Sequence, residues 1–238
     1  MGNKYFKFKQ FTVFHDKCAM KVGTDGVLLG AWADFENRRS ILDVGTGSGL
    51  IALMAAQRNN MAEITALEID PEAASQAKEN VENSRFKHRI SVLPLSFEDF
   101  VSSATDKFDL IVSNPPFFVN ALLSPDIKRT GARHADSLSV AELFGLSKKL
   151  VSETGKLSLI YPFPERENIM SVAEKEGFYL ARETAVFSTP ASPAKRVLLE
   201  FSPKMPENIC RNKLIIESNR HIYTPEFGQL VKDFYLYL

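Results

Sequence analysis

Cysteine and histidine are scarce in this chain, with two and four among 238 residues. Cys18 and Cys210 make no disulfide framework and lack the paired spacing of a structural zinc site, so no metal is expected. No apolar run approaches the ~20 residues that cross a bilayer, and the first residues lack the apolar core of a secretory leader. No membrane association is expected, and the natural compartment is a reducing cytoplasm. Neither sign of charge is in excess, with 29 Lys plus Arg against 29 Asp plus Glu. A nucleic-acid partner therefore needs a local basic face. Repeats and low-complexity tracts are also missing, and nothing implies an obligate protein partner. The length suits one large α/β domain with ample core.

What is present is an alternation of apolar runs and amphipathic stretches, the pattern of a parallel sheet covered on both faces. Strands are expected at 40–44, 63–68, 90–93, 108–113 and 156–161, with helices at 71–83, 139–152 and 165–176. The runs 178–189 and 195–202 flank a Thr189-Pro190-Ala191-Ser192-Pro193 turn and read as an antiparallel pair at the sheet edge. A last strand, 213–217, and the aromatic tail from Tyr223 are expected on the outside. The fold class is α/β, doubly wound, with a mostly parallel seven-stranded sheet and an antiparallel C-terminal hairpin. Residues 1–30 read as an N-terminal extension contributing to the site, and 31–238 as the main domain. The stretch from Pro115 to Ser137 is too long for a plain connection and reads as a functional loop.

Three motifs carry chemistry. The run Phe108-Asp109-Leu110-Ile111-Val112-Ser113 is a buried strand that Pro115 and Pro116 forbid from continuing. Pro115 also holds Asn114 in an extended backbone, so a carboxamide oxygen and a proline-flanked carbonyl sit side by side, with Phe117 beyond. Two acceptors and a ring suit a planar base bearing an exocyclic amine. The second motif is a strand ending in Asp43, followed by Gly45-Thr46-Gly47-Ser48-Gly49 and a helix. This is the opening of a nucleotide-binding unit in which glycines admit a ligand close to the backbone. Leu50 stands where a dinucleotide fingerprint has its third glycine, and no Lys-Ser or Lys-Thr pair marks a P-loop. An acidic strand end repels a pyrophosphate but suits a cationic ligand such as S-adenosylmethionine. In the third motif, Glu68 ends the next strand, placed to accept ribose hydroxyls. Asp70 before Pro71 suits a helix start.

These residues bring the chain close to a known group. Asp43-Val44-Gly45-Thr46-Gly47-Ser48-Gly49, Glu68 and Asn114-Pro115-Pro116-Phe117 resemble class I S-adenosylmethionine-dependent methyltransferases of planar amines, which have a Rossmann-like sheet. Phe11-Thr12-Val13-Phe14-His15-Asp16, the stretch from Lys21 to Trp32, Ala132-Arg133-His134 and Tyr223-Thr224-Pro225-Glu226-Phe227 resemble, more narrowly, the tRNA1(Val) adenine N6-methyltransferases. That family acts on the adenine beside the anticodon, so the resemblance implies tRNA as partner and S-adenosyl-L-methionine as donor. Many relatives carry Tyr after the prolines; Phe117 keeps the stacking surface and excludes any role for a hydroxyl.

The implied site follows. Gly45, Gly47 and Gly49 turn around the methionine part, Asp43 faces its ammonium directly or through water, and Glu68 holds the ribose. Phe97 is an apolar contact and Ser96 or Glu98 a polar one. Thr24 folds over the site, and Asn114 borders the cofactor as well as the substrate. Asn114 and Pro115 accept the hydrogens of the target amine, drawing its lone pair toward the methyl as charge develops. Phe117 stacks on the base, a contact worth roughly 1–3 kcal/mol in single-strand binders. Pro116, Phe118, Lys128, Arg129 and Arg133 are candidates for the substrate side. Residues 1–30 hold five lysines against two aspartates, interleaved with Phe6, Phe8, Phe11 and Phe14, and this arm favours RNA. The same acceptors serve an amide, so N5-methylation of a glutamine in a release factor or ribosomal protein is the alternative reading. A nicotinamide oxidoreductase would lack its third glycine and leave Asn114-Pro115-Pro116-Phe117 idle, and a non-catalytic RNA-binding module would not need every motif intact.

Overall fold

A computed structural model of the chain describes residues 3–116 and 138–237. The candidates Phe117, Phe118, Lys128, Arg129 and Arg133 lie outside the described residues.

The chain opens with an antiparallel hairpin, β1 (Tyr5–Lys7) and β2 (Thr12–Phe14), followed by α1 (Thr24–Trp32). The doubly wound part is β3 (Ser40–Val44), α2 (Leu50–Arg58), β4 (Glu63–Leu67), α3 (Pro71–Glu82), β5 (Ile90–Leu93), α4 (Phe97–Ser103) and β6 (Phe108–Ser113). Next come α5 (Val140–Leu150), β7 (Val151–Pro162), α6 (Arg166–Lys175), β8 (Tyr179–Phe187) and β9 (Ala194–Ser202). The chain closes with β10 (Cys210–Ile215), a small hairpin of β11 (Glu217–Asn219) and β12 (Ile222–Tyr223), and α7 (Pro225–Val231).

The main sheet runs β10-β8-β9-β7-β6-β3-β4-β5. Strands β7, β6, β3, β4 and β5 pair in parallel, and β9 is antiparallel to both β7 and β8. Among the described residues the sheet thus has eight strands where the sequence pattern predicts seven. The eighth, β10, overlaps the outer strand expected at 213–217, but it begins at Cys210 and joins the sheet by pairing with β8 in parallel. Its Cys210, Arg211, Asn212 and Lys213 are exposed. A polar edge strand buries little, so its first half lacks the alternation that announces a strand.

Alternation along the inner strands divides the core between the two faces. Ile41, Leu110, Val112, Ile160 and Leu198 pack with α1, α2 and α7; Leu42, Ile111, Leu159 and Leu199 pack with α5 and α6. Helix α1 is buried from Gly26 to Trp32, and Gly30 exists because a Cβ there would lie 2.5 Å from the Met54 sulfur on α2. The first thirty residues are therefore knitted into the main body.

The N-terminal hairpin corrects one detail of the aromatic arm. Phe8 and Phe11 are core residues, stacked at 4.8 Å, and Phe6 packs against Phe8 and Tyr235. Only Phe14 of the four phenylalanines is exposed, and its cross-strand partner Tyr5 is exposed beside it. A period of two sends alternate side chains to opposite faces, so the same run supplies both core and surface.

Candidate active site

A cleft of about 900 Å3 lies beyond the carboxyl ends of β3, β4, β5 and β6. Strand order reverses between β3 and β6, and the two helices that follow them diverge there, which is where open α/β sheets bind ligands.

The floor is the glycine turn. Gly45, Gly47 and Gly49 have φ of 71°, 55° and 80°, a left-handed region that other residues enter at a cost. A Cβ at Gly45 or Gly47 would meet no atom of the described residues within 4 Å, and both residues line the cleft. Gly49 is different: a Cβ there would make an ordinary contact with Ala77 of α3 at 3.5 Å, so its left-handed backbone, not a shortage of space, favours glycine where α2 begins. Asn80 of α3 is buried and braces the turn from behind, donating from Nδ2 to the Ser48 carbonyl at 2.8 Å.

Two carboxylates flank the turn. Glu68 lines the cleft, accepting the Gly47 N–H on Oε2 at 2.8 Å and the Asp70 N–H on Oε1 at 3.0 Å. Asp70 is the N-cap of α3, receiving the N–H groups of Glu72 and Ala73 on Oδ1. Asp43 is fully buried and stands behind the cleft lining. Its Oδ2 accepts from the Thr46 hydroxyl and the Ala52 N–H, while Oδ1 has no partner among the described residues. Burial pushes its carboxyl up to about 7, helped by the charge of Glu68 and opposed by those two hydrogen bonds.

Next to the turn, Met20, Ile69, Leu95 and Phe97 form an apolar wall. Phe97 is buried against the sheet, and Ser96 caps α4, its hydroxyl accepting the Asp99 N–H and donating to the Asp99 carboxylate. Glu98 also lines the cleft. The polar contact expected at Ser96 is therefore already engaged in a cap. Cys18, Ala19 and Met20 line the cleft without any signal in the sequence; no side-chain type marks them, and only the return of the hairpin over the turn places them there. Burial pushes the Cys18 thiol up to about 11, so it is not a thiolate nucleophile.

The opposite wall is the end of β6. The Ser113 hydroxyl donates to the Val44 carbonyl at 2.8 Å, tying β6 to β3 just before Asn114. Asn114, buried Pro115 and exposed Pro116 all line the cleft. Asn114 Oδ1 is buried and has no hydrogen-bond partner among the described residues. Its Nδ2 would lie 3.9 Å from a Cβ at Gly26, so the first turn of α1 packs beside the carboxamide. Thr24 opens α1 exposed and stands outside the lining, and Asp25 is held by Arg196 Nε at 2.8 Å. The cleft thus brings together Gly45, Gly47, Glu68, Ser96, Phe97, Asn114, Pro115 and Pro116, while Thr24, Asp43 and Gly49 stand behind or beside it.

A cationic amino-acid nucleoside fits these parts. A left-handed glycine cradle, a carboxylate at a strand tip, an apolar wall and a carboxamide oxygen with no partner among the described residues would suit its backbone, ribose, base and positive charge. Among the described residues, no group of three or more His, Cys, Asp or Glu is arranged to hold a metal ion.

Known proteins share much of the sequence and the fold. Residues 18–160 match the methyltransferase small domain. A tRNA1(Val) (adenine(37)-N6)-methyltransferase of Parabacteroides distasonis is 49% identical over 236 residues, covering 99% of both chains. Relatives of the same name in Trichodesmium erythraeum and Bacteroides thetaiotaomicron are 49% and 46% identical, over 99% and 100% of both chains. The chain belongs to the tRNA1(Val) (adenine(37)-N6)-methyltransferase family. Solved structures agree on the fold of this family member. A predicted O-methyltransferase from Agrobacterium tumefaciens superposes with TM-score 0.67 at 22% identity, over 88% of this chain and 96% of that one. A candidate class I S-adenosylmethionine-dependent methyltransferase from Listeria monocytogenes gives 0.57 at 14%, over 86% and 67%.

Proposed function

We propose that this family member methylates the exocyclic N6 of an adenine in tRNA, the adenine 3′ to the anticodon of a tRNA(Val). The observation that carries the chemistry is the buried Oδ1 of Asn114, which has no hydrogen-bond partner among the described residues and stands on the cleft wall next to Pro115 in the chain. A buried acceptor left without a donor costs about 1–3 kcal/mol, and an incoming NH2 relieves it. S-adenosylmethionine, when bound, supplies an electrophilic methyl on a sulfonium.

The chain's own residues do the positioning. Asn114 Oδ1 and the Pro115 carbonyl each accept one N6 hydrogen, which turns the nitrogen lone pair out of conjugation and toward the donor. Both bonds strengthen as nitrogen becomes positive, so the stabilisation falls on the transition state. The methylated ammonium is acidic and loses its proton without a dedicated base. Pro115 and Pro116 keep this corner rigid because neither can rotate about φ. Glu68 is the ribose acceptor, Gly45 and Gly47 admit the methionine backbone, and Phe97 with Met20, Ile69 and Leu95 encloses the base of the cofactor. Asp43 acts through the field it sets behind the turn, and Gly49 and Thr24 shape the elements that carry the site. Phe117 is the stacking ring for the target base, with Pro116, Phe118, Lys128, Arg129 and Arg133 toward the RNA. A tRNA substrate places the protein in the cytoplasm.

The test is methyl transfer from labelled donor into bulk tRNA and, separately, into release factors and ribosomal proteins. N6-methyladenosine in one tRNA is the expected product, absent from cells lacking the protein. Label confined to glutamine of a protein would replace the RNA reading with the amide one.

A further inference from the structure

Outside the cleft, the outer face of the N-terminal hairpin carries a feature that the methyl-transfer chemistry does not use. Tyr5 and Phe14 are directly opposite in the β1–β2 register, 45% and 41% exposed, with ring centroids 5.6 Å apart and planes inclined at 48°. Beside them on the same face Lys7 is exposed, opposite Thr12. Two aromatic rings left in water on a two-stranded hairpin gain nothing for the core, which the inner face already fills with Phe6, Phe8, Phe11 and Val13.

The hairpin is also held unusually firmly for a surface element. The Phe14 N–H donates to Asn80 Oδ1 at 2.9 Å, and Asn80 Nδ2 donates back to the Phe14 carbonyl and onward to Ser48 in the glycine turn, both at 2.8 Å. His15 continues the fastening, accepting the Val22 N–H on Nδ1 at 3.3 Å and bonding the Asn3 carbonyl through Nε2 at 2.9 Å. The chain between these anchors carries Cys18, Ala19 and Met20 into the cleft wall. The exposed rings are therefore fixed relative to the cofactor turn by one buried carboxamide.

We infer that the Tyr5–Phe14 face is a second RNA contact, a stacking platform for an unpaired nucleotide of the substrate next to the one being modified. The inference rests on the tRNA reading of the cleft. Bases unstacked in a loop are recognised by stacking on aromatic rings, with cationic side chains on the phosphates between them. The charge is complementary: residues 1–23 contain Lys4, Lys7, Lys9, Lys17 and Lys21 against Asp16 alone. Lys17 is occupied by Glu79 and Lys4 lies 3.8 Å from Asp16, whereas Lys7 and Lys21 have no ion pair among the described residues. The chain runs from Phe14 on this face to Cys18, Ala19 and Met20 in the cleft wall within six residues, so one single-stranded segment following it would touch both. A platform rigidly joined to the cofactor turn sets the distance between a stacked neighbour and the target amine, which a floating arm would not do.

The experiment measures binding apart from turnover, using an unmodified tRNA(Val) transcript labelled for anisotropy, with calorimetry on S-adenosylmethionine alongside. Tyr5→Leu and Phe14→Leu keep apolar bulk without a stacking face, and Tyr5→Phe and Phe14→Tyr restore the face. Each leucine variant is expected to weaken transcript binding about tenfold or more, with the aromatic variants recovering it and cofactor affinity unmoved. Lys7→Gln is expected to lower the slope of log affinity against log salt by about 0.7. Transcript binding that is equal in native, Tyr5→Leu and Phe14→Leu chains overturns the platform and leaves the reaction untouched. A native chain that binds the transcript but puts methyl only into protein overturns the reading of the reaction, while the leucine variants still report on the platform.

Discussion

Gly47 donates its N–H to the carboxylate of Glu68 at 2.8 Å, joining the glycine turn after β3 to the tip of β4. The acid that would hold the ribose is thus also the acid that sets the turn for the methionine backbone. Its second oxygen takes the Asp70 N–H, so a ligand hydroxyl reaching Glu68 meets a carboxylate that is already oriented.

Replacing this carboxylate should therefore affect the cofactor far more than the fold. Glu68→Gln is expected to weaken S-adenosylmethionine by about tenfold to a hundredfold, the scale of one or two charged hydrogen bonds. Thermal unfolding should move by only a few degrees. Calorimetry on the purified variant reads both, and an affinity within twofold of native would remove Glu68 from the ribose.

The carboxamide at the end of β6 separates binding from chemistry. Asn114→Ala is expected to reduce methyl transfer by about two to three orders of magnitude, as when one oriented polar group at a reacting centre is lost. Cofactor affinity should stay nearly unchanged, because the proposed cofactor surface is mainly the turn and Glu68. Single-turnover rates at saturating tRNA measure the first quantity. Turnover like that of the native chain would refute the acceptor mechanism.

Asp43 predicts a pH dependence whose sign is set by burial. Its carboxyl, raised from 3.8 to about 7 in the folded chain, binds a proton that the unfolded chain releases at lower pH. Stability of the ligand-free protein therefore falls as pH rises between those two values. Asp43→Asn should be more heat-stable than native at pH 8, by a smaller margin at pH 5, and equal to it only below about pH 4. A cationic ligand in front of the turn favours the ionised form, so native cofactor affinity should rise with pH through 7, by at most about tenfold per pH unit, and the asparagine variant should be flat. Titration calorimetry in two buffers of different ionisation heat detects the released proton.

The three glycines should not respond alike. Gly47→Ala carries a methyl into open cleft space at φ 55°, so it costs about 1–2 kcal/mol of backbone strain and blocks the ligand's approach. Gly49→Ala incurs similar strain at φ 80° but places its methyl 3.5 Å from Ala77, away from the cleft. Equal loss of stability with a tenfold or larger loss of cofactor affinity in Gly47→Ala alone is the expected pattern. Differential scanning fluorimetry with and without cofactor distinguishes them.

Asn80 lies outside every motif, yet its side chain makes three hydrogen bonds that join the hairpin to the glycine turn. Asn80→Ala leaves the Ser48 carbonyl and the Phe14 main-chain groups short of partners and should destabilise by about 2–4 kcal/mol. Hydrogen exchange should quicken first at residues 12–22. Urea unfolding measures the loss, and a variant as stable as native would show that the hairpin is held by its aromatic packing alone.

Elements with strong local signals are legible in the order of residues alone. The strand Phe108–Ser113 and the stop imposed by Pro115 and Pro116 lie where apolar pattern and proline geometry require, and the acidic strand ends and glycine turn follow the same local logic. Those features depend on backbone chemistry a few residues long, which the succession of side chains states directly. Other features depend on which faces meet. Phe8 and Phe14 have the same side chain six residues apart, and only the register of the hairpin decides that one fills the core and the other faces water. Asp43 and Glu68 are both acids at strand ends, yet burial withdraws the first behind the turn and leaves the second on the cleft wall. Strand β10 is part of the sheet because β8 offers it an unpaired edge, a partner its own polar residues could not announce. Chain order determined the kinds of groups available and their local geometry; packing between distant segments decided which of them face a ligand, since burial is a property of neighbours that no short stretch contains.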